Sequence, residues 1–144
     1  MTDTNKVLVL GGNFAGLTAA LSLKHDLHDE VDVTVVSKSE EFVFNPSFIW
    51  IPFGKRTVKD VTFPVAHTFE AHGVHYVHAE ATCINPPARI VETTRGPFSW
   101  DYLVIATGYT NDFAVIPDLG PGGTPTRSPL STARSPQVRA GCAS

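Results

Sequence analysis

The chain has 144 residues, a net charge of −3 at pH 7 and 42% hydrophobic residues. That is enough for one domain with its own core, and the acidic balance gives nucleic-acid binding no compositional support. No apolar run approaches the ~20 residues that a transmembrane helix needs. No signal peptide is visible, and Cys83 and Cys142 lie far apart without a C-x-x-C, which predicts a cytoplasmic chain with no structural disulfide.

Val7 to Leu10 is a short apolar run containing β-branched residues, the pattern of a strand buried on both faces. Gly11 and Gly12 stop it. From Ala15 to about Leu27 small and apolar residues recur at helical spacing, with Leu17, Ala20 and Leu21 on one side. A strand, a tight glycine turn and a helix open a dinucleotide-binding βαβ unit. The helix N-terminus near Phe14 to Gly16 leaves backbone N–H groups without intrahelical partners, and with the helix dipole these favour a pyrophosphate. Gly11 permits the turn, and Gly16 lets the helix pack closely on its strand. The pattern G-x-G-x-x-G is met at two of its three glycines. Asn13 holds the middle position, where its tolerance of left-handed angles suits a turn but its side chain stands where phosphates approach. A glycine turn in an ordinary α/β domain is the alternative.

The helix ends on His25, Asp26, His28, Asp29 and Glu30, and Val31 to Val36 reads as a second strand. Nucleotide folds commonly end this strand on an acid that binds the ribose. Here Ser37 and Lys38 follow, and the first acids are Glu40 and Glu41. The ribose carboxylate is therefore missing or displaced, and Ser37-Lys38 also suits the 2′-phosphate of NADP. Glu41 to Arg56 carries Phe42, Phe44, Pro46, Phe48, Trp50, Pro52 and Phe53. Such a loop must be covered, either under another part of a larger fold or as a wall around a flat ring system. Lys55, Arg56 and Lys59 read as a solvated group rather than a phosphate clamp.

Phe63 to His72 predicts a short helix, opened by Pro64 and closed by Gly73. Val74 to His78 predicts a third strand, which turns His75 and His78 to opposite faces and leaves no convergent metal site with His72. Ala81 to Ile84, Arg89 to Thr93 and Pro97 to Trp100 form a meander split by Asn-Pro-Pro and Arg-Gly-Pro turns, with Cys83 as a small core residue. Tyr102 to Ala106 is a wholly apolar strand ending in Ala106-Thr107-Gly108.

Val7 to Ala20, the strand end Val35-Val36-Ser37, the loop Phe44-Asn45-Pro46-Ser47 and the run Asp101 to Gly108 resemble the N-terminal part of the pyridine nucleotide–disulfide oxidoreductases. Within that group the resemblance is nearest to sulfide:quinone oxidoreductases and flavocytochrome c sulfide dehydrogenases. It continues through Asn111-Asp112-Phe113 and Pro117 to Gly123, and so covers residues 6–123. It implies an α/β, three-layer, Rossmann-like FAD/NAD(P)-binding domain with a parallel sheet and a β-meander. It also implies FAD at this first site. The pyrophosphate would lie on Gly11, Gly12, Asn13, Phe14, Ala15 and Gly16, and the adenosine ribose near Ser37 and Lys38. The Pro46 loop would approach the flavin ring, and Ala106, Thr107 and Gly108 would pass beside the cofactor. Ser37 is itself typical of this subgroup, which weighs against NADP. In the family, sulfide electrons pass through active-site cysteines to FAD and then to quinone, and the full-length proteins imply a peripheral place on the inner face of the membrane. The family's second βαβ domain, its later Gly-Asp segment and its cysteines find no match here, so no catalytic residue is assigned.

Arg127, Arg134 and Arg139 lie after Gly123 with no acid, which leaves 8 basic against 14 acidic residues before it. Residues 1–123 are expected to form the FAD/NAD(P)-binding domain. Residues 124–144 are expected to be a disordered tail, of the composition a shifted reading frame would give, with a native basic interaction arm as the alternative. A non-enzymatic fragment that binds a dinucleotide at most is the remaining alternative.

Overall fold

The computed structural model describes residues 4–109 and 139–140. The expected tail over 124–144 falls outside the described residues except at its Arg139–Ala140 step, and the motifs at 111–113 and 117–123 fall outside them entirely. The described residues up to Thr107, with Arg139–Ala140, belong to one compact unit; Gly108 and Tyr109 belong to a second that spans 108–137.

The first strand, β1 (Asn5–Leu10), leads through α1 (Phe14–Leu27) to β2 (Val31–Ser37). After β3 (Glu41–Val43), two 3-10 segments, Asn45–Trp50 and Val58–Val61, reach β4 (Thr62–Pro64). Helix α2 (Ala66–Ala71) and β5 (His75–His78) follow. Strands β6 (Ala81–Asn85), β7 (Ile90–Thr93) and β8 (Gly96–Ser99) make the meander, and β9 (Tyr102–Ile105) returns to the first sheet.

The parallel sheet runs β5-β2-β1-β9. Successive side chains of β1 point to opposite faces, and each face has its own core. Val7 and Val9 pack with Val33 and Val35 of β2 against Ala20 of α1 and against Val65 and Phe69. Leu8 and Leu10 pack with Val36 against Ile84 and Val91 of the meander. Helices cover one face and antiparallel strands the other, which is the expected three-layer α/β arrangement. Phe69 is 0% exposed, so its truncation to alanine should cost ~3–5 kcal/mol.

Three expectations are corrected. The helix expected over Phe63 to His72 is confined to Ala66–Ala71, because Thr62–Pro64 pairs antiparallel with Glu41–Val43. The Phe42 and Phe63 rings stack across that pair with centroids 4.7 Å apart, a cross-strand contact that outweighs the local helix signal. Pro64 sits in a two-stranded ribbon, where its missing N–H is tolerated. Cys83 is disulfide-bonded, because separation along the chain does not bound separation in space. Its strand β6 pairs in parallel with the backbone of Arg139–Ala140, the strand β10. The third correction, at Asn13, belongs to the site.

Candidate functional site

Strands β2 and β9 lie on opposite sides of β1, so the order of the sheet reverses there, and ligands of open α/β sheets bind at the carboxyl ends beside such a reversal. Those ends are bonded together. The Gly11 N–H donates to the Val36 carbonyl at 2.8 Å, and the Ala106 N–H donates to the Leu10 carbonyl at 2.8 Å.

The turn is compressed to the limit of its backbone. Gly11 has φ +104°, and a Cβ on it would stand 2.3 Å from the Ala106 carbonyl oxygen. A Cβ on Gly16 would stand 1.8 Å from the Gly11 carbonyl oxygen. Both obstacles are main chain, so no rotamer change relieves them. A Cβ on Gly12 would meet the Ser37 Cβ and Oγ at 3.1 Å and the Phe69 ring at 3.7 Å. Gly11, Gly12 and Gly16 thus lock β1, α1, β2 and the β9 end into one corner.

Asn13 does not occupy the left-handed region expected of it. Its backbone is extended, at φ −94° and ψ −159°, and it caps α1. Its Oδ1 accepts the Phe14 N–H at 3.0 Å, and its carbonyl accepts the Leu17 N–H at 2.7 Å. The cap explains why this position tolerates a side chain without a glycine conformation. The N–H groups of Ala15 and Gly16 remain without acceptors inside the helix, and no acid stands in the first turn. The corner therefore presents backbone donors and a positive helix end, which is the chemistry an anion needs.

On the expected ribose side, Ser37 is buried at the end of β2. Its hydroxyl donates to the Ser39 carbonyl at 3.0 Å and accepts the Ser39 N–H at 3.3 Å. The Lys38 ammonium lies 3.0 Å from the Glu80 carboxylate. Glu40 stands 2.8 Å from His78 Nδ1. Burial, reinforced by the Glu40 charge, pushes the Tyr76 phenol above its ordinary range, against a smaller opposite effect of a hydrogen bond with Ser37. Phe69, Tyr76 and Glu80 support this corner and were not singled out by sequence, and His78 was weighed there only as a metal ligand. Their signal is the alternation of Tyr76, His78 and Glu80, which becomes legible only once β5 is known to lie beside β2.

Pro46 is exposed at the start of the 3-10 segment Asn45–Trp50, while Ser47 beside it is buried. The Phe14 ring lies 4.7 Å from Phe42 and 5.6 Å from Phe44, so the aromatic loop begins over the helix N-terminus. Beyond that contact, Phe48, Ile49, Trp50 and Phe53 are exposed. The Lys55 ammonium lies 5.0 Å over the Trp50 ring. Thr57 and Asp60 form a reciprocal capping box, and the backbone and hydroxyl donors of Thr57 hold the Asp60 carboxyl below the usual carboxylate range. Ala106 is half-buried and Thr107 exposed, and Gly108 has φ +77°. A cleft of about 240 Å³ lined by Lys6, Asp32, Thr34, Phe98 and Ser99 lies at the other end of β1 and β2. Among the described residues no cluster of three or more His, Cys, Asp or Glu could hold a metal ion.

A sequence profile of the family described as pyridine nucleotide-disulphide oxidoreductase matches residues 5–137. A type II NADH:quinone oxidoreductase of Staphylococcus haemolyticus is 32% identical over 114 residues, which is 76% of this chain and 28% of that protein. Its counterpart in Staphylococcus epidermidis is 33% identical over the same length. Among solved structures, the sulfide:quinone oxidoreductase of Aquifex aeolicus superposes with a TM-score of 0.70 at 32% identity, covering 76% of this chain and 25% of that one. NDH2 of Plasmodium falciparum superposes with a TM-score of 0.67 at 21% identity, covering 81% of this chain and 25% of its own, a likeness of fold alone. The chain spans about a quarter of the length of the relatives it matches.

Proposed function

The chain belongs to the pyridine nucleotide-disulphide oxidoreductase family, and from that premise we propose that residues 1–123 are the FAD-binding portion of a flavin-dependent, quinone-linked oxidoreductase of the sulfide:quinone oxidoreductase kind. The observation that carries the reading is the glycine corner. Its side chains are removed wherever a Cβ would meet main chain, and what remains at the switch point is a capped, acid-free helix N-terminus. The pyrophosphate of FAD would be held by Gly11 to Gly16, and the adenosine ribose by the Ser37-Lys38 end of β2. Pro46 and its loop would face the flavin ring, and Ala106 to Gly108 would pass beside the cofactor. FAD supplies the two-electron chemistry when bound, and the chain's own part is to bind and orient it.

The NADP reading is disfavoured by one contact. The Lys38 ammonium is already paired with Glu80 at 3.0 Å, so a 2′-phosphate would meet a lysine whose charge is compensated by a neighbouring carboxylate. The NADH- and quinone-linked relatives support quinone as the acceptor in the complete protein, with sulfide or a nicotinamide cofactor as the donor. Among the described residues no helix is long and apolar enough to cross a membrane, and a peripheral place on the inner face suits a quinone-linked protein. The test is calorimetric titration of the 144-residue protein with FAD, repeated in excess NADP. FAD binding that NADP does not displace is the expected result, and NADP binding without FAD binding overturns the reading. A quinone-reduction assay with sulfide and added FAD should show no turnover by this chain alone, because the aromatic wall that would face the ring is open to water.

A further inference from the structure

Outside the glycine corner, a dense set of polar contacts among the described residues lies on the loop that leaves β2. Strand β5 runs parallel to β2, with Ser37 opposite His78. Side chains alternate along a strand, so Tyr76, His78 and, just beyond the strand end, Glu80 are presented on one side. They take hold of successive residues of the loop. The Tyr76 hydroxyl donates to the Ser39 carbonyl at 2.9 Å. The Glu80 carboxylate holds the Lys38 ammonium at 3.0 Å. His78 spans two partners, with Nε2 at 3.0 Å from the Lys38 carbonyl oxygen and Nδ1 at 2.8 Å from Glu40 Oε1. The Ala79 N–H adds the Ser37 carbonyl at 3.0 Å. All four residues from Ser37 to Glu40 are therefore pinned from β5.

The two partners of His78 make the same demand on its ring, because each is an acceptor. A backbone carbonyl and an ionised carboxylate only accept, and a neutral imidazole has a single N–H. Both contacts are hydrogen bonds together only when the ring carries two N–H groups. We propose that His78 is a proton-operated clamp on the Ser37–Glu40 loop: its imidazolium ties the Lys38 carbonyl to the Glu40 carboxylate, and loss of a proton releases one of them. The loop is the expected ribose side of the nucleotide site, so nucleotide affinity follows the clamp. The ring touches Glu40 and the Lys38 carbonyl; Tyr76 and Glu80 lie at alternate positions on the same side of the β5 edge and hold Ser39 and the Lys38 ammonium. His78 is thus a positioning residue. The link to affinity rests on the FAD reading above, whereas the clamp itself does not.

The test is ¹⁵N-resolved NMR of the 144-residue protein with parallel FAD titrations, from about pH 5.5 to about pH 8.5, across the range in which imidazoles titrate. The amide signals of Lys38 to Glu40 should move together with the His78 ring signal. FAD affinity should weaken roughly two- to fivefold as pH rises, the scale of one partly exposed ion pair. His78→Gln should remove the pH step from both readouts while the fold is kept, because the side chain is 42% exposed. Glu40→Gln should shrink the step without abolishing the Lys38 contact. Loop signals that ignore the ring, or that follow the same course in His78→Gln, overturn the clamp. Loop signals that follow the ring while FAD affinity stays flat overturn its link to the site. If FAD binds at no pH, the FAD reading fails and the loop signals alone decide on the clamp.

Discussion

The glycine corner and the aromatic loop touch through Phe14, yet they are held in opposite ways. In the corner, atoms that a Cβ would need are already occupied by main chain at 1.8 Å and 2.3 Å. In the loop, Phe44, Phe48, Ile49, Trp50 and Phe53 stand 43–71% exposed, and local caps supply the order. A turn whose geometry is fixed by its own backbone needs no covering surface to keep its shape. A loop rich in aromatic side chains needs a covering surface, whether protein or ring system, before its apolar content stabilises anything.

Of the two regions, the corner should give the larger effect. Gly16→Val should cost at least ~1–3 kcal/mol in urea unfolding and abolish FAD binding followed by flavin fluorescence. An unchanged midpoint with unchanged affinity would break the contrast at its stronger end. Next is the helix cap. Asn13→Ala should lose ~0.5–2 kcal/mol, whereas Asn13→Gly should lose only a few tenths and hold or improve nucleotide affinity. A clear loss of affinity in the glycine variant would mean that the Asn13 side chain touches the ligand.

The loop should respond less. Phe53 is 71% exposed, so Phe53→Ser should change stability by no more than ~0.5 kcal/mol and reduce self-association in sedimentation. A large destabilisation would show that the loop is packed after all. The smallest effect concerns Asp60, whose carboxyl is held below its usual range chiefly by the Thr57 backbone N–H. A depressed folded-state pKa gives stability that is present above the unfolded value and lost as pH falls through the folded one. The difference in melting temperature between wild type and Asp60→Asn should therefore be constant at neutral pH and shrink below about pH 4. A difference that grows on acidification would contradict the capping role.

The same contrast governs what could be read from the residues alone. The β1–turn–α1 unit was legible because Val7 to Leu10 and the glycines leave few other conformations. The meander was legible because Asn-Pro-Pro and Arg-Gly-Pro punctuate it. Pro64 misled because proline suits a first helical turn and an isolated strand ribbon equally, and only the Phe42–Phe63 stack decides between them. The extended backbone at Asn13 was hidden because residue type permits a left-handed conformation without requiring it. The contacts of Tyr76, His78 and Glu80 with the loop at 37–40 span about 40 positions, and such pairings need the register of two strands, which local pattern does not contain.

The central place of β1 also sets an order of events. Its β2 side closes through one helix, but its other side waits for β9, as the bond between Lys6 and Asp101 across 95 positions shows. The entropy of closing so long a loop grows only logarithmically, yet non-local pairing is slow. On a ribosome adding about 5–20 residues per second, β1 would keep one bare edge for roughly 5–20 s. Val7 to Leu10, all buried in the finished sheet, line that edge, and an unpaired apolar strand is a template for a second chain. The pairing that completes the corner is thus reached late by the nascent protein, and the interval before it is the period of greatest risk of misassembly.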